Sequence, residues 1–178
     1  MIKKQIILIL IFIFFSKFAY ANTFKFETKN VQIFKEENKI IAGKGKAVSS
    51  DNDLEINADK FEYLKELDIL KSNGNGSAIK KSKKLFIKFN EAIFDQKNST
   101  IQAKGNVKIN QKDKNFSIET EEIYYNQLND LINSDTKTIL KDSSNNTYVV
   151  DSFIFEVKKN LLKVINLEFK DIDKNTVK

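Results

Sequence analysis

Ile101-Gln102-Ala103-Lys104-Gly105-Asn106-Val107-Lys108-Ile109-Asn110 is a strand written with one oily side and one wet side. Ile101, Ala103, Gly105, Val107 and Ile109 alternate with Gln102, Lys104, Asn106, Lys108 and Asn110. Period-two alternation of this kind marks a β-strand half in water and half in a core. The stretch has echoes on both sides. Ile41-Ala42-Gly43-Lys44-Gly45 and Leu70-Lys71-Ser72-Asn73-Gly74 precede it; Ile132-Asn133-Ser134-Asp135-Thr136 and Leu162-Lys163-Val164-Ile165-Asn166 follow without the glycine. The leading apolar positions 41, 70, 101, 132 and 162 are spaced by 29, 31, 31 and 30 residues. A fixed period of this size means stacked copies of one small unit.

Each later copy brings an aromatic or apolar pair upstream of its lead residue: Phe61/Tyr63, Ala92/Phe94, Ile123/Tyr125 and Phe153/Phe155. Further alternating runs fill the gaps, with Leu54, Ile56 and Ala58, then Leu85, Ile87 and Phe89, then Phe116, Ile118 and Thr120 on the apolar side. Between runs lie turn formers such as Ser50-Asp51-Asn52-Asp53, Gln96-Lys97-Asn98-Ser99 and Ser143-Ser144-Asn145-Asn146. Asn, Asp and Gly accept the left-handed backbone that tight turns require. Each unit therefore reads as four short strands, and the stretch from Leu64 to Leu70 reads as a turn. Parity slips between Ala58 and Phe61, which predicts a bulge or corner there. Matching corners in every copy fold the sheet over on itself. The expected fold is all-β and antiparallel: a bent, two-layered trough with its apolar side chains inside.

The first residues are read separately. Lys3 and Lys4, the apolar run Ile6 to Phe15, and Ala19-Tyr20-Ala21 have the order of a secretory signal peptide over residues 1–21. A retained membrane anchor is the alternative, but the run is short for a span of about 20 residues. Residues 22–178 are then one β-domain. Without Lys3, Lys4 and Lys17, 27 lysines face 24 acids, a charge of +3. The chain has no arginine, the residue best suited to phosphate and base recognition, so nucleic acid is not an expected partner.

The chain has no histidine and no cysteine. That removes the commonest general base, thiol nucleophiles, thiolate metal sites and disulfides. Glu119, Glu121 and Glu122 read as a solvated face, and Lys80-Lys81-Ser82-Lys83-Lys84 as a solvated hairpin tip that also suits an anionic ligand. No glycine-rich phosphate loop precedes a helix. We expect no enzyme activity, no cofactor and no metal. The candidate binding residues are instead the inward set: Ile56, Phe61, Tyr63, Ile87, Phe89, Phe94, Ile101, Val107, Ile118, Ile123, Tyr125, Val150, Phe153 and Phe155. If the two layers part, this core becomes a continuous apolar groove. An acyl chain inside it gains about 0.8 kcal/mol per buried CH₂.

The slots Phe94-Asp95…Ile101-x-Ala103-x-Gly105-Asn106-Val107-x-Ile109 and Ile118-x-Thr120-x-x-Ile123-x-Tyr125-Asn126 resemble the repeat of the OstA-like domains of lipopolysaccharide-transport proteins, of the LptA and LptD types. The resemblance covers about residues 30–165, and Ala103-x-Gly105-Asn106-Val107 is its most specific piece. It departs from the pattern at Thr136 and Asn166, where the glycine is missing. The resemblance implies an antiparallel β-taco or jellyroll and a periplasmic, non-enzymatic carrier of lipopolysaccharide toward the outer membrane. It also implies joining to like domains through exposed edge strands and a link to the outer-membrane translocon. Length and leader suit an LptA-type protein; the final aromatic-rich repeat and abrupt end suit an LptD-type periplasmic domain. The alternative is a secreted structural or adhesive β-solenoid with a dry interior and no lipid. A polysaccharide-binding module would need outward aromatic platforms, whereas these aromatics alternate inward.

Overall fold

A computed structural model describes residues 24–112, 116–144, 146–170 and 176–177. The expected signal peptide lies outside the described residues. Seventeen strands form one antiparallel sheet: β1 (Phe24–Thr28), β2 (Val31–Phe34), β3 (Lys39–Ala42), β4 (Gly45–Ser49), β5 (Leu54–Ala58), β6 (Lys60–Leu64), β7 (Ile69–Lys80), β8 (Leu85–Asp95), β9 (Thr100–Gln111), β10 (Phe116–Asn126), β11 (Leu131–Ser134), β12 (Thr138–Asp142), β13 (Thr147–Val150), β14 (Ser152–Glu156), β15 (Leu161–Ile165), β16 (Glu168–Lys170) and β17 (Thr176–Val177). Among the described residues the sole helical element is the 3₁₀ turn Lys81–Lys83.

The pairing is a simple meander of bent passes. One half of each pass joins β1-β4-β5-β7-β8-β9-β10-β12-β13-β16-β17, which we call layer A. The other half joins β2-β3-β6-β7-β8-β9-β10-β11-β14-β15, layer B. Strands β7 to β10 are long enough to run through both layers; the others are interrupted at the same crease. The ladder register shifts there, between Asn73 and Gly76, Lys88 and Glu91, and Thr120 and Glu122. Asp59 marks the same corner between β5 and β6, as the parity slip predicts. The two layers close on each other with their apolar faces inward, the all-β folded sheet expected from the repeat.

Local chemistry explains the crease. In β9 Gly105 and Asn106 both have a left-handed backbone, φ +77° and +50°, which bends the strand sharply. A Cβ on Gly105 would also lie 2.8 Å from Nδ2 of Asn90. In the fourth copy the glycine slot is Thr136, and hydroxyls replace it: Thr120 Oγ1 lies 2.9 Å from those of Thr136 and Thr138 and 3.1 Å from that of Ser134. The sharing leaves these buried hydroxyls satisfied.

The layer B hairpins are tighter still. Four-residue turns end on a left-handed residue at Asn38, Asp68, Ser99, Asp130 and Asn160. Successive turns also stack. The amides of Lys65, Gln96, Gln127 and Val157 donate to the carbonyls of Asn38, Asp68, Ser99 and Asp130. The ladder therefore continues through the loops.

One detail of the repeat is corrected. Ile41 pairs with Glu62, whereas Ile40 pairs with Tyr63 and packs against the core. The first lead residue is Ile40, not Ile41. Ala42, two residues on, is buried against Phe61. It sits where Ser72, Ala103 and Ser134 sit in later copies, two residues past the lead and in the core.

Candidate functional site

Every expected interior residue is buried: Ile56, Phe61, Tyr63, Ile87, Phe89, Phe94, Ile101, Val107, Ile118, Ile123, Tyr125, Val150, Phe153 and Phe155 are each at most 2% exposed and belong to one cluster. The two layers supply different shapes. Layer B gives most of the rings, Phe61, Tyr63, Phe94, Tyr125, Phe153 and Phe155. Layer A gives aliphatic groups, Ile56, Ile87, Ile109, Ile118, Leu140 and Val150. Large flat side chains facing smaller branched ones fill the space without strain.

The register orders these side chains into rows perpendicular to the strands. In layer B one row runs Ile33, Ile40, Tyr63, Leu70, Phe94, Ile101, Tyr125, Ile132, Phe155 and Leu162, one residue from each pass. In layer A a second row runs Phe26, Ala47, Ile56, Ala78, Ile87, Ile109, Ile118, Leu140 and Tyr148. At about 4.8 Å per strand the apolar interior is about 45 Å long.

Both ends of the interior are less well covered than its middle. At the first end Val31 and Ile33 of β2 are 45% and 59% exposed, although their cross-strand partners Ala42 and Ile40 face the core. Phe24 and Phe26 of β1 cross to layer B there, their rings 5.7 Å from Tyr63 and 5.8 Å from Phe61. At the other end a cavity of about 230 Å³ is lined by Phe116, Leu140, Tyr148, Leu162, Val164 and Leu167, with Lys141 and Asp142 at its border. Phe116 of layer A meets Phe155 of layer B edge to face, 5.2 Å between centroids. The sequence did not single out Val31, Ile33, Leu140 or Leu167 for this role. For Val31 and Ile33 the signal was an inward phase on a strand with one neighbour among the described residues, whereas Leu140 lies between Ile118 and Tyr148 and Leu167 between β15 and β16.

The side opposite the crease carries the polar groups of the site. Tyr63 donates to Asp68 Oδ1 at 2.6 Å, and Tyr125 to Asp130 Oδ1 at 3.2 Å. Burial, together with the adjoining carboxylate, pushes both phenols well above their ordinary range, so they stay protonated donors. Asp130 also accepts from Lys83 Nζ at 2.6 Å. The lysine-rich tip is thus ion-paired in part: Lys80 reaches Asp53 at 3.0 Å and Lys81 reaches Glu55 at 3.6 Å. Glu119 and Glu122 line the wet face of β10, paired with Lys108 and Lys104 across the ladder.

Among the described residues no cluster of acids is arranged to hold a metal ion, and no helix is long and apolar enough to cross a membrane. The geometry is a long, packed apolar interior, less well covered at its two ends, with a polar seam on the side away from the crease.

No protein-family model matches the chain, and no curated protein matches it. Among solved structures it is similar to LptH of Pseudomonas aeruginosa, the LptA-homologous periplasmic component of a lipopolysaccharide transport device. Identity is 7%, with 80% of this chain and 81% of that chain covered, at a TM-score of 0.30. A likeness of that size assigns no function.

Proposed function

We propose that this chain is a non-enzymatic periplasmic carrier that holds the acyl chains of lipopolysaccharide between its two layers on the way to the outer membrane. The observation that supports it is the unbroken row from Ile33 to Leu162, apolar at every pass, exposed at Ile33 and partly buried at Leu162. Ile33, 59% exposed, carries the row one strand past its covered part. The resemblance of the Ala103-x-Gly105-Asn106-Val107 stretch to OstA-like repeats supports the same reading. Like domains of the Lpt type, the outer-membrane translocon among them, are the partners we assign. They would add strands to the edges of β1 and β2 at one end and of β15 at the other, which have one partner strand each among the described residues.

Photo-reactive residues placed at Phe94, Tyr125 and Leu162, with Lys108 on the wet face as control, test this with purified lipopolysaccharide. Crosslinks from the three interior sites and none from Lys108 are expected. Crosslinks confined to Lys108 would remove the carrier reading.

The complete burial of the middle of the row favours a second reading, a secreted structural β-solenoid with a dry interior. Native mass spectrometry separates the two. A carrier retains lipid mass on gentle desolvation, and a dry solenoid has only its own.

A further inference from the structure

Resting on the carrier reading, we propose that Lys83 and Asp130 form a latch across the open side of the folded sheet, and that a phosphate-bearing lipid headgroup releases it by competing with Asp130 for Lys83.

The pair joins the two layers directly. Lys83 belongs to the turn between β7 and β8, whose flanking residues Lys80 and Leu85 pair within layer A. Asp130 ends the turn between β10 and β11, in layer B. Forty-seven residues separate the two in the chain, yet Nζ and Oδ2 are 2.6 Å apart. Their side chains are 30% and 12% exposed, so the contact sits at the boundary between water and core. A free anion reaches it from outside, while the interior begins just behind it.

Each half is braced by its own layer. On the lysine side, Asp53 fixes the turn. It accepts from the Ser82 amide at 2.7 Å and the Ser82 hydroxyl at 2.8 Å, and its carbonyl takes the Lys81 amide at 2.9 Å. On the acid side, Asp130 has a left-handed backbone and holds the phenol of Tyr125, the largest of the fully buried side chains. Motion of Asp130 is therefore felt at the centre of the interior row. The repeat-equivalent pair Tyr63–Asp68 has a hydrogen bond of the same kind, so the phenol–carboxylate contact recurs in the repeat.

The closed state also has a defect at this seam. Gln111 of β9 donates through Nε2 to the Lys83 carbonyl at 3.1 Å, but its buried Oε1 has no partner. Parting of the layers lets water reach that oxygen, which lowers the cost of opening. A phosphate is a strong acceptor for Lys83, and the lysine-rich stretch 80–84 around it raises the local phosphate concentration. An uncharged lipid brings no negative charge to replace that of Asp130.

Spin labels on Lys112→Cys in layer A and Leu128→Cys in layer B report the seam, because the chain has no native cysteine. Asp130→Asn keeps an acceptor for Tyr125 while removing the charge, and Lys83→Met removes the other partner. The probes are myristoyl lysophosphatidic acid and monomyristoylglycerol, which share an acyl chain and differ in the phosphate. We expect a short, narrow label separation in the parent. It should lengthen in either variant and on adding the phosphate lipid, but not with the uncharged one. Uptake of the uncharged lipid should rise in both variants by roughly five- to thirtyfold, the factor that one or two kcal/mol converts to.

An unchanged label separation in both variants overturns the latch, whether or not lipid binds. Equal opening of the parent by both lipids overturns the role of the headgroup. Variants that open while neither lipid binds support the latch and overturn the carrier reading instead.

Discussion

The ring of Phe89 packs against Gly76, its cross-strand neighbour, so closely that a Cβ on the glycine would fall 2.0 Å from Cε2. Phe89 is 1% exposed and sits beside the crease, where its ring also meets Phe94 edge to face at 6.0 Å. The bare glycine is what lets an aromatic ring occupy the corner of a bent strand. Gly76→Ala should therefore cost roughly 1–3 kcal/mol through overpacking. Phe89→Ala should cost about 3–5 kcal/mol by leaving a cavity. The double variant should be more stable than the sum of the two losses implies, because the alanine methyl then has room. Urea midpoints of the four proteins test this, and strict additivity would contradict it.

At the crease of β9 the prediction concerns backbone rather than packing. Gly105 has φ +77°, and Asn90 crowds the place of its missing side chain. Gly105→Ala should lose roughly 1–2 kcal/mol from the left-handed backbone alone. Thr136, the residue in the corresponding slot of the next copy, should tolerate Ser with little change, since the hydroxyl shared with Thr120 and Ser134 is kept. Thr136→Val should cost about 1 kcal/mol, the loss of its hydrogen bonds to Thr120 and Ser134, because those two hydroxyls still hold each other. Thermal melts of the three variants decide the order.

Glu156 predicts a pH dependence. Lys159 and Lys163, each 2.7 Å away, hold its carboxyl at about 2, below the ordinary 4.5. A carboxylate whose folded pKa is depressed stabilises the fold above the unfolded value and loses that contribution as pH falls. The loss should run from about pH 4.5 down to about 2. Glu156→Gln should flatten the stability profile in that window, with its cost greatest at neutral pH, modest because both lysines are largely exposed, and vanishing near pH 2. Denaturant titrations at stepped pH measure this; an identical slope in the variant would refute it.

The exposed edge residue Ile33 gives a test of the mouth. Ile33→Lys should change stability by no more than about 0.5 kcal/mol, as for a surface substitution. It should nevertheless weaken both lipid uptake and any end-to-end association, because a lysine on an edge strand blocks pairing and puts a charge in the apolar row. Sedimentation velocity and lipid-binding assays on the same protein read both effects.

Much of this architecture was legible in the chain. Alternation around Ile101 to Ile109 fixed which face is buried, and the parity slip between Ala58 and Phe61 located the corner. The interior set was legible because a two-residue period leaves no ambiguity once one face is apolar. Ile40 and Ile41 show where this stops. Two adjacent isoleucines satisfy either phase, and the small residue Ala42, not the isoleucine, carried the correct register. The Lys83–Asp130 contact was not legible at all. It depends on how far the twisted layers slide past each other, which no local pattern encodes. The hydroxyl cluster at Thr120, Ser134, Thr136 and Thr138 was hidden for a related reason: polar residues in a core look like mistakes until their mutual contacts are known.

In the ladder each bent pass pairs only with the passes before and after it in the chain. Adding or deleting one hairpin pair of about thirty residues would therefore lengthen or shorten the interior by two strand spacings, roughly 10 Å, while keeping the pairing of the rest. Reach in this design is set by copy number, so gene duplication can adjust the distance spanned as a tailor lets out a hem, one fold at a time.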